Sequence, residues 1–168
     1  TELSAISAGN DISCNGVCDG MMTVIVNGGV EPYSYAWVNN QPLVAPFDTI
    51  SNICPTPLSN LSNSVTITDS LNCTILQNVV IINPDLLDAN VTGNGILCNN
   101  ECNGTARVNP IGGTGATSVV WSPYPIPADS TEITGLCSGN YLATVTDQNG
   151  CIDTMTYTVN DLQVLSLS

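Results

Sequence analysis

The sequence has no histidine, no lysine and a single arginine, Arg107, against 14 acidic residues. One cation cannot neutralise a run of phosphates, which excludes a nucleic-acid-binding protein. Histidine-based triads, Ser–Lys dyads and lysine Schiff bases are excluded as well. The remaining acid–base candidates are carboxylates near predicted turns, where aspartate stabilises the backbone. They are Asp19, Asp69, Asp147 and Asp153. Because they form no local cluster, the sequence predicts no catalysis and no resident cofactor.

Long apolar runs and dense charge are also missing. The longest apolar run covers residues 79–82, far short of the roughly 20 residues of a membrane-spanning helix. Only 9% of residues are charged, yet 43% are hydrophobic, which is typical of a folded chain rather than a disordered acidic tail. The sequence lacks an initiator Met and a signal-like N-terminal region, so we expect a mature or excised piece of a larger protein.

The cysteine content indicates the compartment. An even number of cysteines in a loop-rich chain favours disulfides and an oxidising, extracellular environment. There are eight: Cys14, Cys18, Cys54, Cys73, Cys98, Cys102, Cys137 and Cys151. Zinc is the alternative, since the sequence contains two C-x3-C pairs. The other four cysteines do not form the second tight pairs that a zinc site usually has, and this favours disulfides.

The chain contains two copies of one unit. Cysteines, a Gly-Gly pair and a tryptophan recur at a spacing of 84 residues. The matched pairs are Cys14 with Cys98, Cys18 with Cys102, Gly28 with Gly112, and Trp37 with Trp121. We therefore predict a first repeat at 1–84 and a second at 85–160. Residues 161–168 align with 85–92 and with 1–8, which predicts the first strand of a further repeat or an exchanged strand.

Short strands, not helices, are predicted throughout. Eight β-branched or aromatic runs are bounded by Asn-Gly, Gly-Gly, Asn-Asn or Pro. They cover 22–26, 34–37, 65–68, 76–82, 106–108, 118–121, 141–146 and 154–159. The segment 147–150, Asp-Gln-Asn-Gly, predicts a hairpin turn. About seven short strands in each unit, with one Trp and cysteine pairs, indicate an all-β chain of two tandem immunoglobulin-like β-sandwiches stapled by disulfides.

Loop length favours long-range disulfides, because closing a longer loop removes more entropy from the unfolded chain. Long-range links are each worth roughly 4 kcal/mol, against about 2 kcal/mol for a local Cys14–Cys18 link. This predicts a nested pairing among the 105 that eight cysteines allow. The predicted pairs are Cys14–Cys73, Cys18–Cys54, Cys98–Cys151 and Cys102–Cys137.

The ordered motifs resemble the SprB-type repeat of large cell-surface adhesins of gliding Bacteroidota. They are Cys-Asn-x-x-Cys-(Asp/Asn)-Gly, Gly-Gly, an aromatic strand ending in Trp, Ile-x-x-(Ile/Leu)-Cys and Val-Thr-Asp-x-x-(Gly/Asn)-Cys. The second unit is the better match, since the first has Asn72 in place of Gly150 and an insertion at 55–63. The resemblance implies an exported sandwich module of an elongated protein used in adhesion or gliding motility, without catalysis.

The resemblance also draws attention to modification sites. Surface proteins of this bacterial group carry O-glycans on Asp-(Ser/Thr) followed by an apolar residue or Thr. Four positions match that pattern, namely Thr49, Ser70, Ser130 and Thr154. The alternative is that Asp-Ser and Asp-Thr are ordinary turn and strand-end pairs.

The sequence suggests two candidate binding sites and three candidate functions. Acidic extracellular modules often bind calcium weakly, and candidate ligands are Asp85, Asp88 and Glu101, although solvated linker acids are favoured. Tyr124, in a Pro-rich loop, is the best contact candidate, whereas the repeated tryptophans are expected in the core. The favoured function is an adhesive surface module that contacts neighbouring copies, surface polysaccharide or other cells. The alternatives are a filament subunit linked by strand addition through residues 161–168 and a glycan-binding, lectin-like module.

Overall fold

A computed structural model describes residues 1–38, 48–55, 61–96, 101–123 and 130–160, without the side chains of residues 61 and 62. Tyr124, Cys98 and the segment 161–168, to which sequence analysis assigned roles, lie outside these ranges. The chain divides into two compact units, Thr1–Pro84 and Asp85–Ser168, called unit 1 and unit 2 below.

Each unit contains six named strands. In unit 1 they are β1 (Ser4–Asn10), β2 (Gly20–Asn27), β3 (Ser34–Val38), β4 (Thr49–Ile53), β5 (Leu61–Thr68) and β6 (Thr74–Ile81). In unit 2 they are β7 (Val91–Asn94), β8 (Gly104–Val108), β9 (Ser118–Ser122), β10 (Glu132–Leu136), β11 (Gly139–Thr146) and β12 (Ile152–Val159). The described residues contain no helix, and so none long and apolar enough to cross a membrane.

Both units use the same strand order. One three-stranded sheet is β1-β2-β4 in unit 1 and β7-β8-β10 in unit 2. The other is β3-β5-β6 in unit 1 and β9-β11-β12 in unit 2, and every pair is antiparallel. The two sheets of a unit enclose one apolar cluster that contains its tryptophan, Trp37 or Trp121. The predicted all-β fold is therefore confirmed.

Alternating side chains explain why these segments pair as strands. In β2, Met22 and Val24 are buried, while Ile25, the next residue, points to the opposite face and is exposed. In a strand, successive side chains point to opposite faces, so this period of two fixes which face lies on the core. All eight predicted runs coincide with strands, except that the 76–82 run extends one residue beyond β6, but β1, β4, β7 and β10 were not among them. The predicted number, about seven per unit, exceeds by one the six that the described residues show.

Matching backbone positions in the two units use Asn or Gly for the same purpose. Asn52 in β4 and Gly135 in β10 have φ of 59° and 71°, and the ladder shifts register beside each. Asn72 and Gly150 have φ of 66° and 85° in the turns that precede β6 and β12. Asn tolerates the left-handed region better than most residues. The first unit's Asn72 therefore forms the same turn as the second unit's Gly150.

A disulfide closes the same end of the same strand pair in both units. Cys18 and Cys54 are bonded beside the Gly20↔Ile53 pair of β2 and β4: Cys54 directly follows Ile53, and Cys18 precedes Gly20 by two residues. Cys102 and Cys137 are bonded and flank the corresponding pair of β8 and β10. These are two of the four links in the nested pairing. Cys14 and Cys151 are also disulfide-bonded.

The predicted Cys14–Cys73 link is wrong, because Cys73 is a free, exposed thiol. Asn15, next to Cys14, donates its side-chain N–H to the carbonyl of Pro84, at 2.8 Å. Cys73 lies at the other end of β6, whose eight residues span about 26 Å. A disulfide needs Cα atoms within about 7 Å. The entropy of loop closure depends on loop length and takes no account of the distance between the two cysteines in the folded unit. The Cys98–Cys151 prediction involves a residue outside the described part.

Replacing Cys18 and Cys54 together with Ser lowers the free energy of unfolding of unit 1 by about 4 kcal/mol, because a 36-residue separation is no longer closed in the unfolded chain. The measurement is urea unfolding followed by Trp37 fluorescence in a Trp121→Phe background. Cys73→Ser is the matched control and leaves the midpoint unchanged. Equal midpoints for the double variant and the control would contradict the stapling role.

Gly28→Ala destabilises unit 1 far more than Gly16→Ala. Both glycines have positive φ, 72° and 83°, so both substitutions strain the backbone by about 1–2 kcal/mol. Only at Gly28 would the new Cβ also collide with the backbone carbonyl of Glu2, while the space around Gly16 is open to 4 Å. Thermal unfolding of both variants checks the difference. Equal losses of melting temperature would show that the close approach of residue 2 is unimportant.

Candidate functional site

A buried aspartate, Asp69, organises the turn between β5 and β6, at the end of unit 1 where Thr1 lies. One oxygen of Asp69 accepts the backbone N–H groups of Leu71 and Cys73, at 2.9 and 2.8 Å. The other accepts the N–H of Val30, at 3.1 Å, from the loop between β2 and β3. The side chain therefore joins two loops of the unit and holds Cys73 in place.

Unit 2 builds the same turn with Asp147. One oxygen accepts the N–H groups of Asn149 and Cys151, each at 2.9 Å, and the other accepts that of Thr114, at 2.7 Å. Asp147 is buried, as Asp69 is. Sequence analysis predicted turn aspartates and the 147–150 hairpin, but it did not identify the bond to the β8–β9 loop. A repeated Asp placed after a strand and before Cys was the available signal.

The turn is expected to be acid-sensitive. Burial raises the pKa of Asp69, but hydrogen bonds from the backbone N–H groups of Cys73, Val30 and Leu71 outweigh it and hold the pKa below its usual value. A depressed pKa means that the carboxylate stabilises the folded unit at neutral pH. That contribution disappears as the pH falls below about 4 and through the folded-state pKa.

An open cleft lies beside this turn. It has a volume of about 400 Å³ and is lined by residues 1–3, 29–30, 69, 71 and 73–74. We call it the Cys73 cleft. Its wall is mixed, with the apolar side chains of Leu3, Val30 and Leu71 beside the acidic Glu2 and Asp69. Cys73 contributes an exposed thiol to this cleft. It is the one cysteine among the described residues that is not in a disulfide, and a thiol becomes a nucleophile when it is deprotonated.

The opposite end of unit 1 carries Cys14 in a tight loop. Val17 donates its N–H to the carbonyl of Cys14, at 3.0 Å. Hydrogen bonds from the Ser13 side chain and backbone to the carboxylate hold the pKa of Asp19 below its usual value. The amide of Asn15 binds the carbonyl of Pro84. The loop is thus fixed to the C-terminal end of the unit, away from the Cys73 cleft.

The calcium candidates do not form one site. Asp88 accepts the N–H of Asn90, at 2.8 Å, in a local turn, and Glu101 accepts the amide of Asn103, at 2.8 Å. Asp85 is exposed, and its backbone carbonyl binds the N–H of Gly113. Within the described part of the chain, no group of three or more acidic, Cys or His residues is arranged to hold a metal ion.

The four glycosylation candidates differ in access. Ser70 and Thr154 are exposed, the first in the Asp69 turn and the second on β12. Thr49 and Ser130 are half-buried, and the Thr49 hydroxyl is 2.7 Å from that of Thr23. Ser70 and Thr154 are therefore the more accessible of the four candidates.

The repeated tryptophans belong to the cores. Trp37 and Trp121 are 7% and 5% exposed, too little to form a sugar-stacking platform. The indole N–H of Trp121 donates to the carbonyl of Ser130, at 2.9 Å. Tyr33 is half-buried, with its hydroxyl donating to the carbonyl of Gly28, at 2.7 Å. The aromatic side chains that the structure describes therefore stabilise the fold, and Tyr124 stays an untested candidate.

Asp69→Asn lowers the melting temperature of unit 1 at pH 7 and flattens its dependence on pH below about 4. The amide has one acceptor oxygen in place of two, so at least one of the three backbone N–H groups loses its partner. Circular dichroism melts from pH 7 to pH 2 test this, with Glu31→Gln, which removes one exposed carboxylate, as the charge-matched control. Parallel pH profiles for Asp69→Asn and the unmodified chain would contradict the role of this carboxylate.

Comparison with solved structures shows the fold. The three N-terminal domains of the highly immunogenic outer capsid protein Hoc of bacteriophage RB49 match with a TM-score of 0.57 and 15% identity. A C-terminal 282-residue fragment of intimin, solved with the intimin-binding domain of the translocated intimin receptor, matches with a TM-score of 0.50 and 14% identity. The matches cover 94% and 95% of this chain but 58% and 63% of those chains. They confirm the immunoglobulin-like class of the predicted sandwiches.

Comparison with families and curated proteins concerns the sequence itself. No curated protein matches the chain. Residues 7–42 match the family model of the SprB repeat. This segment runs from β1 through the Cys14 loop, β2 and β3 of unit 1, although sequence analysis took unit 2 as the better match. The predicted resemblance to the SprB repeat, a repeat of cell-surface proteins, is thereby confirmed over residues 7–42 of the first unit.

Proposed function

We propose that this chain is an extracellular adhesive module of a large bacterial cell-surface protein and that it acts by contact, without catalysis. The observation that carries the proposal is the SprB-repeat match at residues 7–42, on a sandwich closed by the Cys18–Cys54 disulfide. Disulfides persist in oxidising compartments, which agrees with export to the cell surface.

The chemistry of the described side chains supports contact rather than turnover. Buried Asp69 and Asp147 each accept three backbone N–H groups, so their oxygens are occupied by structural hydrogen bonds. The sequence has no His or Lys to serve as a general base or nucleophile. What the units offer instead is a rigid antiparallel framework that presents loops at its two ends.

The negative charge of the chain shapes the contacts that it favours. A net charge of −13 repels other acidic surfaces over distances up to the Debye length, about 8 Å at physiological salt. Neutral hydroxyl-rich polysaccharide escapes this repulsion, and the many Asn, Thr and Ser side chains supply hydrogen-bonding partners for it. We therefore assign surface polysaccharide and other cells as the contact classes.

Deletion of the coding segment for this chain from the source bacterium reduces attachment of the cells to a polysaccharide-coated surface. Protease treatment of intact cells releases peptides of the chain while a cytoplasmic marker stays intact. The matched control restores the segment with Ser34→Ala, a change at one exposed strand position, and recovers attachment. Undiminished attachment after deletion, or protection from the protease, would overturn the proposal.

A further inference from the structure

The first and last strands of unit 1 lie side by side and run in the same direction. Ser7 in β1 donates its hydroxyl to the carbonyl of Asn78 in β6, at 3.4 Å. Just beyond the ends of both strands, Ile12 donates its backbone N–H to the carbonyl of Ile82, at 3.0 Å. The N–H of Ile82 in turn is bound by the carboxylate of Asp11, at 2.8 Å. Because the residue numbers rise together along both segments, the two strands are parallel.

Unit 2 has the same arrangement between its first and last strands, β7 and β12, which contact each other. Ala89, before β7, donates its N–H to the carboxylate of Asp153, at 2.8 Å. Ile96, after β7, donates its N–H to the carbonyl of Asn160, at 3.2 Å. Both pairs are 64 residues apart, so these segments are parallel as well. We call the contact between the first and last strands of a unit its terminal seam.

The chain enters and leaves unit 1 at opposite ends of the terminal seam. Residues 1–3 and residues 73–74 line one cleft, so β1 and β6 begin at the same end. At the other end, Asn15 donates its side-chain N–H to the carbonyl of Pro84. The eight residues of β6 span about 26 Å between these ends. Tension between residues 1 and 84 therefore pulls β1 and β6 in opposite directions along their lengths.

We propose that each unit resists tension applied along the chain, because its terminal seam is then pulled in shear. In unit 1, sliding β1 along its axis also breaks the antiparallel ladder with β2, which includes all seven residues of β1. Hydrogen bonds of such a ladder are perpendicular to the strands, so a pull along the strand stretches all of them together. This inference goes beyond the adhesive role and does not depend on it, since it concerns the force that a unit withstands and not what the unit contacts.

Gly9 shows how closely β1 approaches β6 in the terminal seam. A Cβ added at this position would lie 2.6 Å from Cδ1 of Ile81 and 2.8 Å from Cγ1 of Val79. Both side chains belong to the apolar cluster of unit 1. The φ angle of Gly9 is not positive, so close packing rather than backbone conformation requires the glycine here. A larger residue at position 9 would push the two strands apart and weaken the terminal seam.

The resistance depends on the direction of the pull. Residue 1 and the turn between β5 and β6 lie at the same end of unit 1, and Leu71 in that turn is 67% exposed. A pull that separates residue 1 from residue 71 acts across the strands and breaks the contacts of β1 one after another. Forced unfolding is governed by the unfolding rate rather than by the equilibrium free energy of unfolding. A difference between the two directions therefore reports the geometry of the terminal seam and not the overall stability of the unit.

The test is single-molecule force spectroscopy on the full 168-residue chain, held in two geometries. One handle is always at the N-terminus. The second is attached to p-azidophenylalanine that replaces either Leu71, for peeling, or Asp85, for shear, and both positions are exposed. We expect the force that unfolds unit 1 to be several-fold higher in the shear geometry. Equal forces in the two geometries would overturn the proposal.

Variants of the terminal seam sharpen the test. Gly9→Ala lowers the unfolding force in the shear geometry, and so does Asp11→Ala, which removes the bond from the N–H of Ile82. The control is Ile53→Val in β4, a strand outside the terminal seam. It lowers the melting temperature through the loss of a buried methylene but leaves the shear force unchanged.

Two results would contradict the assignment of the shear resistance to the terminal seam. One is a shear force in both seam variants equal to that of the unmodified chain. The other is a loss of shear force in Ile53→Val as large as that in the seam variants. Circular dichroism confirms that each variant is folded, and Asp11→Ala, a change at an exposed position, carries the test if Gly9→Ala does not fold.

Discussion

A covalent bond that closes one end of a strand pair is the constraint on which each unit depends. An 84-residue sandwich buries little more than 60% of the surface of its unfolded chain and is marginal without additional links. The Cys18–Cys54 and Cys102–Cys137 bonds lie within two residues of the end pair of the β2–β4 and β8–β10 ladders. They fix the ends of both ladders where the loops would otherwise fray. The rest of each sandwich is then held by its core and by one buried aspartate.

Different hydrogen bonds fix the loops at the two ends of unit 1. At the Thr1 end, Asp69 ties the β2–β3 loop to the β5–β6 turn through backbone N–H groups. Near the Pro84 end, the Cys14 loop is held by hydrogen bonds to Asn83 and Pro84. Rigid loops at both ends are what a repeat needs to present contact surfaces in a defined direction. This architecture supports the contact function proposed for a chain that has neither His nor Lys.

Sequence periodicity predicted the all-β fold and eight of the twelve strands, because those strands carry β-branched or aromatic residues at alternate positions. It missed β4 and β10, where Asn52 or Gly135 interrupts the pattern at a left-handed position. Periodicity alone did not reveal β1, where Ala, Gly and Ser dilute the apolar alternation, or β7, whose four residues include Gly93 and Asn94, although the alignment of 161–168 with 1–8 and 85–92 implied a strand at the start of each repeat. The Cys14–Cys73 prediction was wrong because chain entropy ranks loops without knowing which ends of the sandwich they occupy. The hydrogen bond that the Val30 N–H donates to Asp69, 39 residues away, depends on folding and leaves no local signal.

The central claim is that this molecule is a disulfide-closed pair of β-sandwiches that works in an oxidising environment outside the cell. The most direct measurement is a disulfide map of the protein recovered from intact cells, alkylated before digestion under non-reducing conditions. The account predicts peptides joined through Cys18–Cys54 and through Cys102–Cys137. Alkylated, reduced thiols at these four positions would contradict it.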